Sequence, residues 1–217
     1  MNMLRPIVLS FLGSNLILLA VNIINILQNG GGPKGRGMTD ILGKRPEEAR
    51  LEDITRLSKA EFKQLFHAAH CPALADFNGE YQAMNHPSGI MAFGVDVYTD
   101  HFFGPGKWIG KAFSPVQPDK GSGYNIFMKT DKNGKVLIAR TRKINTFIAR
   151  SAYDGRDSFH LDYSPYNSFL VHSMRDELRK VNEGLSIGFG SMAAGGGTIN
   201  PSPFIVYGPP RPWVGAQ

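Results

Sequence analysis

The chain has 217 residues, 42% hydrophobic and 11% aromatic, enough to bury a real core and too apolar for a disordered tail. Its net charge of +6 is spread over basic residues interleaved with acids. That excludes the dense basic patch and recognisable module of a nucleic-acid binder, but suits attraction to anionic lipid head groups.

Pro6 to Leu27 contains no charged residue. A helix of about 22 residues crosses a ~30 Å hydrocarbon core, so this run reads as a transmembrane helix, with residues 1–28 as a membrane anchor. Asn15, Asn22 and Asn25 weaken it, because amides are costly in lipid. A cleaved signal peptide is the rival reading, but Ile23 to Gln28 offers no small-x-small cleavage site, and the uncleaved anchor is favoured. Arg5 precedes the run, whereas Lys34, Arg36, Lys44 and Arg45 follow it. The positive-inside rule then puts the rest of the chain on the cytoplasmic side. Residues 29–45, opening with Asn-Gly-Gly-Gly-Pro, form a flexible linker by composition. One domain is expected over 46–217.

Ser58 and Glu61 have capping-box spacing, and Leu57 and Phe62 stand at the staple positions around them. Phe62, Leu65, Phe66 and Ala69 share a helical face, expected to cover one end of the domain, and Pro72 ends the helix. The lone cysteine, Cys71, excludes an intramolecular disulfide and reads as a small half-buried side chain. From Asp76 the pattern turns to short strands with many Gly and Pro: Phe77 and Tyr81, then Met91, Val95 and Val97. Tyr124–Lys129 and Lys135–Arg140 flank Asn133-Gly134, a strong hairpin signal because both residues tolerate positive φ. Further strands are expected at 142–149, 158–163, 185–191 and 203–207. Leu170, Val171, Met174, Leu178 and Val181 are spaced like a helix face. Successive antiparallel strands with tight turns point to a closed or nearly closed barrel.

Several segments, in order, resemble a family of mostly uncharacterised proteins built on a lipocalin-like (calycin-type) barrel with a Gly-x-Trp-x-Gly motif. They are Asn78-Gly79-Glu80-Tyr81, Gly106-Lys107-Trp108-Ile109-Gly110-Lys111-Ala112-Phe113, Arg140-Thr141-Arg142 and Tyr153-Asp154-Gly155-Arg156. Asp176-Glu177-Leu178-Arg179, Gly184-Leu185-Ser186-Ile187-Gly188 and the tail Gly208–Gly215 follow. The resemblance implies a mainly β, antiparallel lipocalin-like β-barrel and a strand rather than a helix at Asp176–Val181. It implies no activity.

Trp108 between two glycines reads as a plug under a barrel end, or as a surface on which a ligand stacks. Arg140, Arg142 and Arg150 share parity with Val136, Ile138, Ile144 and Ile148. Regular alternation would turn them all to one face. If that face is inside, the arginines need Asp162, Glu177 or Glu80, or the carboxylate of a ligand such as a fatty acid. The alternative is a solvated face or internal ion pairs. With Tyr81, Tyr124 and Arg179, the residues Trp108, Arg140, Arg142, Asp162 and Glu177 complete the candidate ligand-binding set. His67 and His70 share a helical face but lack a third ligand, and no metal is expected. His160 and Asp162 could make an acid–base pair, but separate, singly bonded roles are favoured. The glycines at 188, 190 and 195–197 lack the lysine of a phosphate loop. No cofactor motif and no catalytic residue can be named. The expectation is a membrane-anchored binding protein for a hydrophobic or amphipathic molecule of the lipid, fatty acid, isoprenoid or pigment class. The alternatives are an accessory subunit of a membrane complex and an isomerase or cyclase acting on a hydrophobic substrate.

Overall fold

The computed structural model describes the backbone over residues 4–217 and side chains from Ser14 onward. Eight antiparallel strands close into one barrel in sequence order, β8 pairing back onto β1. They are β1 (Gly79–Asn85), β2 (Lys107–Gln117), β3 (Lys120–Thr130), β4 (Val136–Arg150), β5 (Asp157–Asp162), β6 (Arg175–Asn182), β7 (Leu185–Ser191) and β8 (Ser202–Arg211). Closure leaves no unpaired sheet edge. The β3–β4 hairpin is the expected one: Asp131 Oδ1 accepts from the amides of Asn133 and Lys135, and Gly134 takes φ +80°.

Helices flank the barrel: α1 (Leu4–Leu27), α2 (Met38–Leu42), α3 (Leu51–Thr55), α4 (Lys59–Ala68), α5 (Ala92–Tyr98) and α6 (Phe169–His172). The expected membrane span lies on α1, and the side chains of its first half fall outside the described residues. Among the described residues no helix is long and apolar enough to cross a membrane. The other end of α1 docks on the barrel through its amides. Asn25 donates to Asn200 Oδ1 (2.5 Å), Asn200 donates to Asn22 Oδ1 (3.0 Å), and Asn29 donates to the Ile199 carbonyl (3.0 Å). Asn22 and Asn25, which count against the run as a lipid-facing helix, therefore make a protein contact.

The capping box closes α4 as expected: Ser58 Oγ accepts from the Glu61 amide (3.2 Å) and Glu61 accepts from the Ser58 amide (2.9 Å). The helix covers the flank of the barrel, however, not its end. Phe62 and Phe66 pack on Phe189, on the outward face of β7, with centroids 5.5 and 5.0 Å apart. Residues 92–98 also depart from expectation, being helical instead of a strand. Met91, Val95 and Tyr98 fall at i, i+4 and i+7, one helix face, and all three turn to the barrel mouth. Residues 99–103 continue as a π-helical turn. The 168–182 stretch divides: Phe169–His172 form α6 and Arg175–Asn182 form β6.

The arginine parity is the main correction. In β4 the register with β3 shifts between Thr141 and Ile144, and Arg142 takes φ 57°. Such a bulge reverses which side chains point inward. Ala139 before it and Ile144 after it both pack on the interior cluster. Arg140 therefore lies on the outer wall, and Arg150 is exposed beside Asp157. In the half of the barrel away from α5, Phe77, Tyr81, Phe113 and Phe159 fill the interior with ring centroids 5.0–6.0 Å apart. Gly110 permits the close β1–β2 crossing there, since a Cβ would stand 2.5 Å from the Tyr81 carbonyl oxygen.

Ser58→Ala removes the cap of α4 and should lower stability by about 1 kcal/mol in urea unfolding. An unchanged midpoint would mean that packing on Phe189 alone holds the helix.

Candidate ligand cavity

The mouth half of the barrel is open inside. A cavity of about 280 Å³ lies beneath α5 and the end of α1. Its walls are mostly apolar, with Met91, Val95, Phe103, Met174, Met192 and Phe204, and the side chains of Asn22, Asn25, Asn85 and Asn200 also line it. Its floor is a buried polar cluster. Lys111 on β2 donates to Asp176 Oδ2 on β6 (2.8 Å), to the Tyr163 hydroxyl (2.6 Å) and to Asn125 Oδ1 on β3 (3.1 Å). Tyr163 donates its own proton to Asp176 Oδ2 (2.9 Å), and Trp108 Nε1 donates to Asn125 Oδ1 (3.1 Å). Lys111 and Asp176 are each only 2% exposed.

Burial pushes the Lys111 ammonium below its ordinary pKa, and the neighbouring Asp176 charge opposes this. Burial, with the Asp176 charge second, raises the Tyr163 phenol well above its usual value, so it stays protonated. The Lys111 nitrogen also lies 5.1–5.3 Å from the ring centroids of Trp108, Tyr163 and Phe204, within cation–π range. Asp176 Oδ1 is buried and accepts no hydrogen bond from any described protein group.

Of the eight sequence candidates, only Trp108 lines this cavity. Tyr81 packs in the filled half of the barrel, its hydroxyl accepting from the Asn78 amide. Arg142 is held at the bulge by the Phe103 carbonyl (2.5 Å). Asp162 pairs with Arg175 (3.0 Å) at the surface. The other four belong to two fastenings on the outer wall.

In the first, Glu80 accepts from Arg140 (2.6 Å) and from Tyr124 (2.5 Å). The Tyr124 hydroxyl accepts from the amides of Val214 and Gly215, which seats the C-terminal tail, and Trp213 packs on the Tyr124 ring. In the second, Arg179 is fully buried and grips Asp154 with two 2.6 Å bonds while donating to the Phe66 carbonyl (2.9 Å). His67 contacts the same carboxylate (3.1 Å), and Arg156 donates to the His67 carbonyl. Glu177, nearby, accepts from the Ala152 amide (2.8 Å). His67 is thus engaged by a carboxylate, and among the described residues no three metal-ligating side chains gather at one point.

The floor residues Lys111, Tyr163, Asn125 and Asp176 were missed in the sequence. Tyr163 was within reach, since it continues the Phe159, Leu161 alternation. Lys111 was not, because the register shifts between Trp108 and Gly110 and places both Trp108 and Lys111 inside.

The eight-stranded antiparallel barrel with one open end fits a lipocalin-like fold. No protein-family model matches the chain, and no curated protein does. A solved structure described as a crystal structure of a protein from Thermomonospora curvata aligns with a TM-score of 0.43 at 13% identity, covering 75% of this chain and 89% of that one.

Burial alone would raise the Asp154 carboxyl, but the Arg179 and His67 hydrogen bonds outweigh it and hold the group well below its usual 3.8. A depressed folded pKa contributes stability that is present above the unfolded pKa and is lost as pH falls below it. Asp154→Asn, which leaves Arg179 buried without a counter-charge, should cost ~3–5 kcal/mol at pH 7. In urea titrations the gap from wild type should narrow below about pH 4; a gap constant down to pH 2 would rule out this ionic role.

Proposed function

We propose that this chain is a membrane-associated binding protein for a hydrophobic or amphipathic small molecule held in the mouth half of the barrel. The observation that carries the reading is the cavity itself: largely apolar walls above a compact buried polar floor, the usual make-up of a small-molecule site. Its volume of about 280 Å³ suits a small ligand, near the lower end of the usual ~300–1,000 Å³ range. The thioethers of Met91, Met174 and Met192 add adaptable walls. Native mass spectrometry of full-length protein extracted gently from its own membrane should find a hydrophobic adduct near one per chain. Val95→Trp, which fills the cavity from α5, should abolish it. A bare mass with partner proteins retained would overturn the binding reading in favour of the accessory-subunit one.

Apolar exposure supports the membrane part. Leu16, Ile17, Leu18 and Leu19 on α1 are 57–66% exposed, and Phe93 and Phe169 near the mouth are 80% and 89% exposed. Exposed apolar area on this scale marks an interaction surface. The full-length protein should float with anionic liposomes, and replacing those four α1 residues with serine should release most of it. Flotation unchanged by the substitutions would exclude α1 as the anchor.

A further inference from the structure

We infer that the cavity's ligand presents a neutral hydroxyl group to Oδ1 of Asp176, and is an alcohol with an apolar body, not a fatty acid. This rests on the binding reading above and narrows its ligand class.

The hydrogen-bond inventory of the floor carries the argument. Lys111 has three ammonium protons, and all are taken: by Asn125 (3.1 Å), Tyr163 (2.6 Å) and Asp176 Oδ2 (2.8 Å). Tyr163 spends its proton on Asp176 Oδ2 (2.9 Å), and Trp108 spends its indole N–H on Asn125 (3.1 Å). The Asn125 amide group donates to the Arg142 carbonyl and to the Tyr163 oxygen, both at 3.2 Å. What remains is an acceptor: Asp176 Oδ1, buried and unpartnered. A buried unsatisfied oxygen is costly, and a bond to a charged group recovers more than one between neutral groups. Asp176 lines the cavity together with Gly190 of the neighbouring strand. Gly190 backs directly onto this oxygen, since a Cβ there would stand 3.0 Å from it. Ser202, opposite Gly190 in the β7–β8 register, brings another hydroxyl to the same wall.

Ligand charge then decides between head groups. Lys111 and Asp176 already neutralise each other. A ligand carboxylate would find no free donor among these floor groups and would lie beside the Asp176 charge. An alkylammonium would add a second cation beside Lys111. Only a neutral donor satisfies Oδ1 without burying a net charge, and a net buried charge is the costliest outcome.

The test uses full-length protein in lipid nanodiscs, labelled with ¹⁵N-tryptophan. Trp108 reports the cavity; Trp213, packed on Tyr124 on the outer wall, is the internal control for folding. 1-Decanol should shift the Trp108 indole signal saturably and leave Trp213 unmoved, with decanoate binding at least about tenfold more weakly. Gly190→Ser, whose own hydroxyl reaches Oδ1, should weaken 1-decanol by a similar factor while the Trp213 signal persists. Decanoate binding as tightly as decanol, or Gly190→Ser leaving decanol unaffected, would overturn the hydroxyl inference and leave the binding reading standing. No Trp108 response to either compound would sink both.

Discussion

The ion pair between Lys111 and Asp176 organises the interior of this barrel. β2 and β6 stand four places apart among eight strands, so the 2.8 Å contact ties opposite walls together through the centre. A charge buried this deeply is tolerable only when it is paired and hydrogen-bonded; Tyr163 bonds both partners and Asn125, itself held by Trp108, accepts from Lys111, which leaves Asp176 Oδ1 as the acceptor these groups do not fill. The cluster also divides the interior. On one side the aromatic rings of Phe77, Tyr81, Phe113 and Phe159 fill the space; on the other the barrel stays open, roofed by α5 and the end of α1.

The other buried ion pairs work on the outer wall. Glu80–Arg140 holds the C-terminal tail through Tyr124, and Asp154–Arg179 holds α4 through the Phe66 and His67 contacts. Each joins segments far apart in sequence. The arginines that look like a head-group clamp in sequence lie outside the cavity lining in the fold.

The roof has a different character. α1 meets the barrel through a row of amides on Asn22, Asn25, Asn29 and Asn200, and its outward side carries exposed leucines and isoleucines. One helix thus offers a polar edge to the cavity mouth and an apolar side to its surroundings. Asn22 and Asn25 also line the cavity, so this helix end forms part of its wall.

Much of this was written locally in the chain. Asn133-Gly134 specifies a hairpin because positive φ suits those residues, and Ser58 with Glu61 specifies a helix start because each satisfies an orphan amide. The strand at 158–163 was legible, and the barrel class followed from the succession of short strands. Features that depend on register were not legible. A bulge at Arg142 and a register shift after Trp108 each reverse parity, sending Arg140 to the outer wall and bringing Lys111 within. Nor did the Val-rich stretch over 91–98 disclose its helix, because which of two periodicities wins depends on the barrel mouth it must cover. By itself the sequence determined the β3–β4 hairpin, the capped start of α4 and the mainly β class of the fold, since these rest on local propensity and on interactions between near neighbours in the chain. Only the tertiary structure decided which side chains meet at the cavity floor, because pairing Lys111 with Asp176 requires the sheet to close and bring residues 65 positions apart across one interior.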